Sequence, residues 1–317
     1  MTEFTSIEHF AKGMTVTGFY LVKSMNLKTS ASNKQYGDYV LADQTGEIPA
    51  KVWNVDSPSA LPAAGTFLKV QGLVTDWQGK LQLRMDRYRE VQDSDPVDIS
   101  SVVPSAPEPA SDMMQELMGY ANAIENPDLK KLVLTAIESK KEQLEYWPGA
   151  LKNHHSIRSG LIFHTLSILR LADGVLSVYD FLQSDWLYAG IICHDLAKTE
   201  EMDAEISGAA SQFTLEGRLL GHISQGVLLV DRVGREIGTP KDMLTILEHM
   251  ILAHHELPEY GSPRRPMFAE AEVLHYLDTL DARMYDFELG TRSLKPGQFS
   301  DAIWTLENRR IFHADLT

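Results

Sequence analysis

Apolar and polar positions follow two different rhythms along the chain. Between Met14 and about Val91, short β-branched and aromatic runs are broken by turn residues: MTVTGFYLVKSMNL, DYVLADQTGEIPAKVWN, TFLKVQGLVTDW and KLQLRMDRYREV. The alternation from Lys80 to Met85 and the breaks at Thr45-Gly46 and Gln78-Gly79 predict hairpins. No helix of ordinary length fits between them. This part therefore reads as about five antiparallel, meandering strands that close a small barrel.

The rhythm stops from Gln92 to Ser111, where Pro96, Pro104, Pro107 and Pro109 stand among Ser, Asp and Ala, and an extended linker is expected. After Asp112 the period becomes helical. Leu129, Leu132, Val133, Ala136 and Ile137 share one face, as do Leu161, Ile162, Thr165, Leu166, Ile168 and Leu169. Similar stripes run through Trp186 to Leu196, Leu219 to Val233, Leu244 to His255 and Ala269 to Met284, without strand-like alternation. The expected organisation is a multidomain α+β chain: a β-barrel over residues 1–91, a linker over 92–111 and an all-helical domain over 112–317.

Composition narrows the class. With 317 residues, 44% apolar and 23% charged, the chain can build large cores and is not disordered throughout. No apolar run is expected to approach the roughly 18 uncharged residues of a membrane helix, and the start, MTEFTSIEHF, lacks a basic patch followed by an apolar core. A cytoplasmic address without a membrane partner is the expectation. Cys193 is the single cysteine, so no internal disulfide and no cysteine zinc cluster can form, and any metal must sit on His and carboxylate. The formal charge is −15, but residues 1–90 hold ten Lys plus Arg against nine Asp plus Glu. The remainder carries −16, which leaves the N-terminal third free to approach a polyanion.

Ten of the eleven histidines fall between His154 and His313. Several recur at the starts or ends of helix-like segments beside small or apolar neighbours: His164, His194 with Asp195, His222, and His254 with His255, together with Asp278. Burying so many imidazoles and carboxylates without a cation would leave donors and charges unmatched, at a few kcal/mol each. Neighbours on a helix point about 100° apart. His194 can therefore hold one cation while the two oxygens of Asp195 span toward a second, and His254-His255 can offer two nitrogens from one helix end. An all-N/O site suits manganese, iron, cobalt, nickel or zinc better than calcium. Lys198, three residues after Asp195, is either a solvated lysine or an ammonium directed at the same opening.

The string CHDLAK at 193–198, the upstream GLIFHT and the downstream Asp278 resemble the HD phosphohydrolase superfamily, and His222 with His254-His255 resembles its two-metal subgroup. HHSIRSGLIFHT, HHELPEYGSPRRP, EAEVLHYLDTLDAR, KPGQFSDAIWTLENRR and, in the barrel, ADQTGEIPAKVW resemble the YhaM-type 3′-5′ exoribonucleases over nearly the whole chain. That resemblance implies an N-terminal OB-fold joined to an all-α HD domain. It implies His164, His194, Asp195 and Asp278 around a first metal, and His222, His254 and His255 around a second, with Asp195 bridging. Asp281, three residues after Asp278, competes for the last ligand position and is expected behind it, orienting rather than coordinating. Two-metal relatives that add a Glu one turn before the first His differ here, because Gly160 stands at that position and the first site is expected to be more open.

Two cations about 3.5 to 4 Å apart would acidify water and neutralise charge growing on phosphoryl oxygens. Asp195 and Lys198 are the candidate catalytic groups, with Lys198 as a phosphate or leaving-group contact. His155 and Arg158 either clamp the phosphate or terminal sugar or are ordinary loop residues. Among the barrel's Phe19, Tyr20, Tyr36, Tyr39, Trp53, Trp77 and Tyr88, at least half must fill the interior. Tyr36 and Trp77 are the candidate stackers for bases, near Lys51, Lys80, Arg84 and Arg87. Arg264-Arg265, on a loop stiffened by Pro258, Pro263 and Pro266, is read as solvated charge or a phosphate contact. The expected activity is release of nucleoside 5′-monophosphates from the 3′ end of single-stranded RNA, with single-stranded DNA as a further substrate. Two divalent ions, manganese foremost, are expected, and the resemblance implies a homo-oligomer. The alternatives are an HD enzyme acting on a nucleotide or cyclic dinucleotide, and a non-catalytic RNA-binding protein.

Overall fold

Five strands close on themselves in the first part of the chain: β1 (Thr15–Thr29), β2 (Gln35–Asp43), β3 (Gly46–Trp53), β4 (Phe67–Trp77) and β5 (Lys80–Glu90). The coordinates, a computed structural model, describe residues 4–314 except 31, 54, 56, 58–60, 93, 98, 152 and 293. Around the barrel the order is β1-β2-β3-β5-β4, with β4 returning to β1. This is the OB-fold topology, and it corrects the expected meander. An odd number of strands cannot close with every neighbour antiparallel, so one pair must run parallel. That pair is β3 with β5, joined at Ala50↔Leu83 and Lys51↔Arg84.

Alternation sorts the side chains. Val16, Tyr20, Val22, Tyr39, Leu41, Ile48, Ala50, Leu68, Val70, Val74 and Leu83 fill the interior. Both expected hairpins are present. Gln78 and Gly79 adopt φ of 53° and 80°, the paired left-handed geometry of a tight turn. At the other hairpin, Asp43 Oδ1 accepts from Thr45 N at 2.7 Å and Gly46 N at 3.1 Å.

The stretch expected to be one extended linker is divided. Residues up to Ser105 belong to the barrel unit and those from Ala106 to the second unit. Asp95 is bonded to Arg89 and lies 3.4 Å from Lys69, and Ile99–Ser101 forms a 3₁₀ turn. In the second unit Ala106 N donates to the Arg158 carbonyl at 2.9 Å, and α1 begins at Ala110.

That unit contains α1 (Ala110–Ala123), α2 (Pro127–Glu138), α3 (Lys141–Leu144), α4 (Gly160–Val178), α5 (Ser184–Cys193), α6 (Lys198–Glu201), α7 (Leu215–Ile237), α8 (Lys241–Ala253) and α9 (Ala269–Thr291). It is not wholly helical: β6 (Met202–Ala204) and β7 (Ala210–Phe213) form a hairpin between α6 and α7. Strands of three and four residues are too short to display alternation, which is why the pattern missed them. The apolar helix α4 packs against α1, α5 and α9. By length and a mean hydropathy of 1.5 it is long and apolar enough to cross a membrane, although Arg170 and Asp173 interrupt it, so it holds no uncharged run of the length a membrane helix was expected to need. Here Leu161, Ile162, Leu166, Ile168 and Leu169 face a core shared with α5 and α9.

Candidate metal centre

Two helices end at one place. α5 stops at Cys193 and α8 at Ala253, and His194 and His254 follow as their caps in helical geometry. A helix C-terminus leaves carbonyls without N–H partners and gathers negative potential. Each capping imidazole donates from Nδ1 to the carbonyl three residues back, His194 to Ile191 and His254 to Ile251, both at 2.7 Å. A carbonyl only accepts, so Nδ1 must carry the proton and Nε2 the lone pair.

Three further imidazoles are held the same way. His255 donates from Nδ1 to the Tyr260 carbonyl at 2.7 Å, while its backbone N–H reaches Ser262 Oγ at 3.0 Å. The proline-stiffened loop thus orients a histidine. His222 Nδ1 lies 2.9 Å from Glu201 Oε1, which also accepts from the His222 N–H at 3.0 Å. That N–H is free because α7 breaks at Gly221, whose φ of 70° belongs to the region that favours glycine. His164, one turn into α4, has Nδ1 2.7 Å from Asp281 Oδ2.

All five histidines keep Nε2 for the centre. The Nε2 atoms of His164, His194, His222 and His254 are buried without a hydrogen-bond partner, as is Asp195 Oδ1. Asp195 divides them. Its Oδ2 is 3.6 Å from His164 Nε2 and 3.3 Å from His194 Nε2. Its Oδ1 is 3.5 Å from His222 Nε2 and 3.8 Å from His254 Nε2. Donors sharing one cation at bonds of about 2.0 to 2.2 Å stand roughly 3 to 3.6 Å apart. His164, His194 and Asp195 form one such group within 4.8 Å, and His222, His254 and His255 another.

Unpaired buried acceptors cost about 1 to 3 kcal/mol each, and divalent cations would satisfy them together. The donor set therefore fits divalent metal, with Asp195 able to serve both groups. Asp278 lies on the Nε2 side of His164 at 3.1 Å and Asp281 on its Nδ1 side, both from one face of α9.

Electrostatics follows this crowding. Burial opposes charge on His164, but the Asp278 and Asp281 carboxylates outweigh it and hold the imidazole up at about 9. Burial likewise opposes ionisation of Asp195, yet Lys198 and His194 keep it well below the usual carboxylate range. Desolvation drives His254 well below its ordinary value.

The substrate candidates fare unequally. Lys198 is buried, with Nζ 2.6 Å from Asp195 Oδ2, and its carbonyl accepts from Trp147 Nε1. His155 lies deeper than a substrate clamp was expected to: it is 1% exposed and its Nε2 lies 2.8 Å from Asp281, which places it against the carboxylate behind His164. At Gly160 itself a Cβ would lie 2.0 Å from the His155 carbonyl oxygen, so the place of the absent side chain is filled by backbone. Arg158 is half-buried, with Nε donating to the Ile206 carbonyl at 3.1 Å. Sequence reasoning missed Glu201 and His154; the only signal for Glu201 was the Gly221-His222 pair it caps. His154 has its ring 5.6 Å from His164. Burial, then the Lys198 charge, push this imidazole down to about 3.

On the barrel, Tyr20 and Tyr39 are interior, whereas Phe19 is buried on the outer face against Phe4. Tyr36 lies 4.8 Å from Trp53, ring to ring, and Lys51 Nζ is 4.7 Å over the Tyr36 ring. Trp77 is 65% exposed beside the Gln78-Gly79 turn.

The HD domain family matches residues 154–283. A 3′-5′ exoribonuclease YhaM of Geobacillus sp. (strain WCH70) is 35% identical over 96% of this chain and 94% of its own. The protein of that name from Bacillus pumilus (strain SAFR-032) is 36% identical over 92% of each. Among solved structures, a domain of replication protein A from Methanococcus maripaludis matches 29% of this chain and 100% of its own, with 22% identity and a TM-score of 0.26. With its locked histidines, its bisected carboxylate and relatives that align from end to end, the chain belongs to the YhaM family of 3′-5′ exoribonucleases.

Proposed function

We propose that this protein is a metal-dependent hydrolase that removes nucleoside 5′-monophosphates from the 3′ end of single-stranded RNA and accepts single-stranded DNA as a further substrate. The observation that carries the reading is Asp195, whose two oxygens face two separate sets of unpartnered histidine nitrogens. We assign His164, His194, Asp195 and Asp278 to one divalent ion and His222, His254, His255 and the shared Asp195 to a second, with manganese as the first candidate. When bound, such ions acidify water and neutralise charge on phosphoryl oxygens.

The chain's own residues position these parts. Asp281 and Glu201 hold the rings of His164 and His222, and Lys198 keeps an ammonium beside the shared carboxylate. In the barrel, Tyr36, Trp53 and Lys51 offer rings and a cation to a single strand. Direction of attack is taken from the names of the relatives. Self-association belongs to the same reading and is supported by an exposed stripe of Tyr276, Leu280 and Met284 along α9; so does a cytoplasmic setting, with which a single cysteine agrees.

The test is a 5′-labelled oligoribonucleotide incubated with manganese-loaded protein, alongside metal analysis. A ladder shortening from the 3′ end and close to two metal ions per chain are expected, with metal and activity both lost in Asp195→Ala. Intact oligomer together with turnover of mononucleotides would overturn the reading in favour of a nucleotide phosphohydrolase.

A further inference from the structure

The loop before α4 carries two adjacent histidines that the fold treats in opposite ways. His155 is sealed, paired with Asp281, and its ring lies 4.1 Å from Tyr285. Its backbone is left-handed, φ 55°, and its carbonyl accepts from Gly149 N at 2.8 Å. A non-glycine residue keeps that conformation only where its surroundings hold it. The consequence is that the two rings stand 84° apart, one turned into the core and the other not.

His154 is the other. Its ring approaches His164, and it feels the charges of Lys198 and Asp278. Yet it has no hydrogen-bond partner among the described residues, and its nitrogens, unlike the orphaned ones of the centre, are not sealed from solvent. Nor does it join the groups of donor atoms close enough to share an ion. An imidazole half-buried against the His164 ring, outside the ligand set and with nothing to bond, is placed to meet something that enters.

We propose that His154, and not His155, is the histidine of this loop that touches substrate, donating a hydrogen bond from its ring to a non-bridging oxygen of the scissile phosphate beside Lys198. The inference rests on the nuclease reading above. No proton is transferred: the ring, which carries at least one N–H in either protonation state, supplies a donor where negative charge grows on the phosphoryl oxygens, and a donor already in position stabilises that charge most.

The test uses full-length, metal-loaded His154→Ala and His154→Gln on oligoribonucleotides whose 3′-terminal linkage is an Rp or an Sp phosphorothioate, with metal content measured in parallel. His154→Ala is expected to lower kcat about 10- to 100-fold with KM changed less than about threefold. Metal content stays at the wild-type level, Gln recovers part of the loss, and discrimination against one of the two diastereomers shrinks. Wild-type kcat with unchanged diastereomer discrimination would overturn the proposal. So would loss of bound metal with activity restored by excess metal, which would make His154 a ligand. If the alanine variant does not fold, the glutamine variant decides by the same two readouts. A wild-type protein that leaves the unmodified oligomer intact would instead sink the nuclease reading, a separate outcome.

Discussion

Each imidazole of the centre commits Nδ1 to an acceptor of the protein and turns Nε2 toward the other donors, and His164 does so most stringently, between two aspartates. Without metal that arrangement favours a protonated ring, held up at about 9 against an ordinary value of 6.5. The sign follows from linkage. A raised imidazole contributes stability that is fully present below about 6.5 and lost as pH rises through about 9. Chelator-treated protein should therefore melt at progressively lower temperature from pH 6.5 to 9, and His164→Gln should flatten that fall. The stabilisation gained on adding manganese should grow over the same interval, because the ion displaces the proton from Nε2. A melting temperature of the metal-free protein that rises with pH would contradict the assignment.

Helix ends matter as much as side chains here. α5 and α8 deliver His194 and His254 at C-terminal caps, where the carbonyls that need donors are also those that fix the tautomer. α4 begins where Gly160 touches the His155 carbonyl, so the loop and the helix start are one packed unit. Gly160→Ala should force that contact apart. Overpacking of this kind costs about 1 to 3 kcal/mol, equivalent to roughly 3 to 10 °C in melting temperature for a unit of this size. Calorimetry on the metal-loaded variant checks it, and an unchanged transition would mean that the loop yields freely. The break in α7 at Gly221 has a related purpose, freeing the His222 N–H for the carboxylate that also aims its ring.

At the scale of the whole molecule, charge separates the two units. The cations of the barrel are largely engaged by its own acids: Lys28 and Lys51 with Asp38, Arg84 with Asp86, Arg89 with Asp95. Such pairs add little to stability at exposed sites, but they do cancel long-range attraction for RNA. Binding should then rest on stacking more than on phosphate contacts. Measured in an Asp195→Asn background that cannot cleave, log K against log salt should have a slope shallower than about −3. Trp53→Ala should weaken binding about 5- to 100-fold, since stacking contributes about 1 to 3 kcal/mol per base. A steep salt slope together with indifference to Trp53 would contradict this.

The order of strands and helices, the division into barrel and bundle, and the accumulation of histidines at helix ends were legible in the linear chain, because each depends on the identity or spacing of near neighbours. The parallel pair through which the barrel closes, the hairpin β6–β7 and the placement of His154 and Glu201 were not. Parallel pairing of β3 with β5 is a consequence of closing an odd ring and leaves no local trace. Likewise, HHSIR reads as two equivalent imidazoles, and only the left-handed turn at His155 seals one and leaves the other reachable. Local spacing determines which atoms can be donors. Which donors meet, and which oxygen of Asp195 each faces, is decided by helices far apart in sequence packing on one another, since coordination depends on distances in space that no pattern of neighbours encodes.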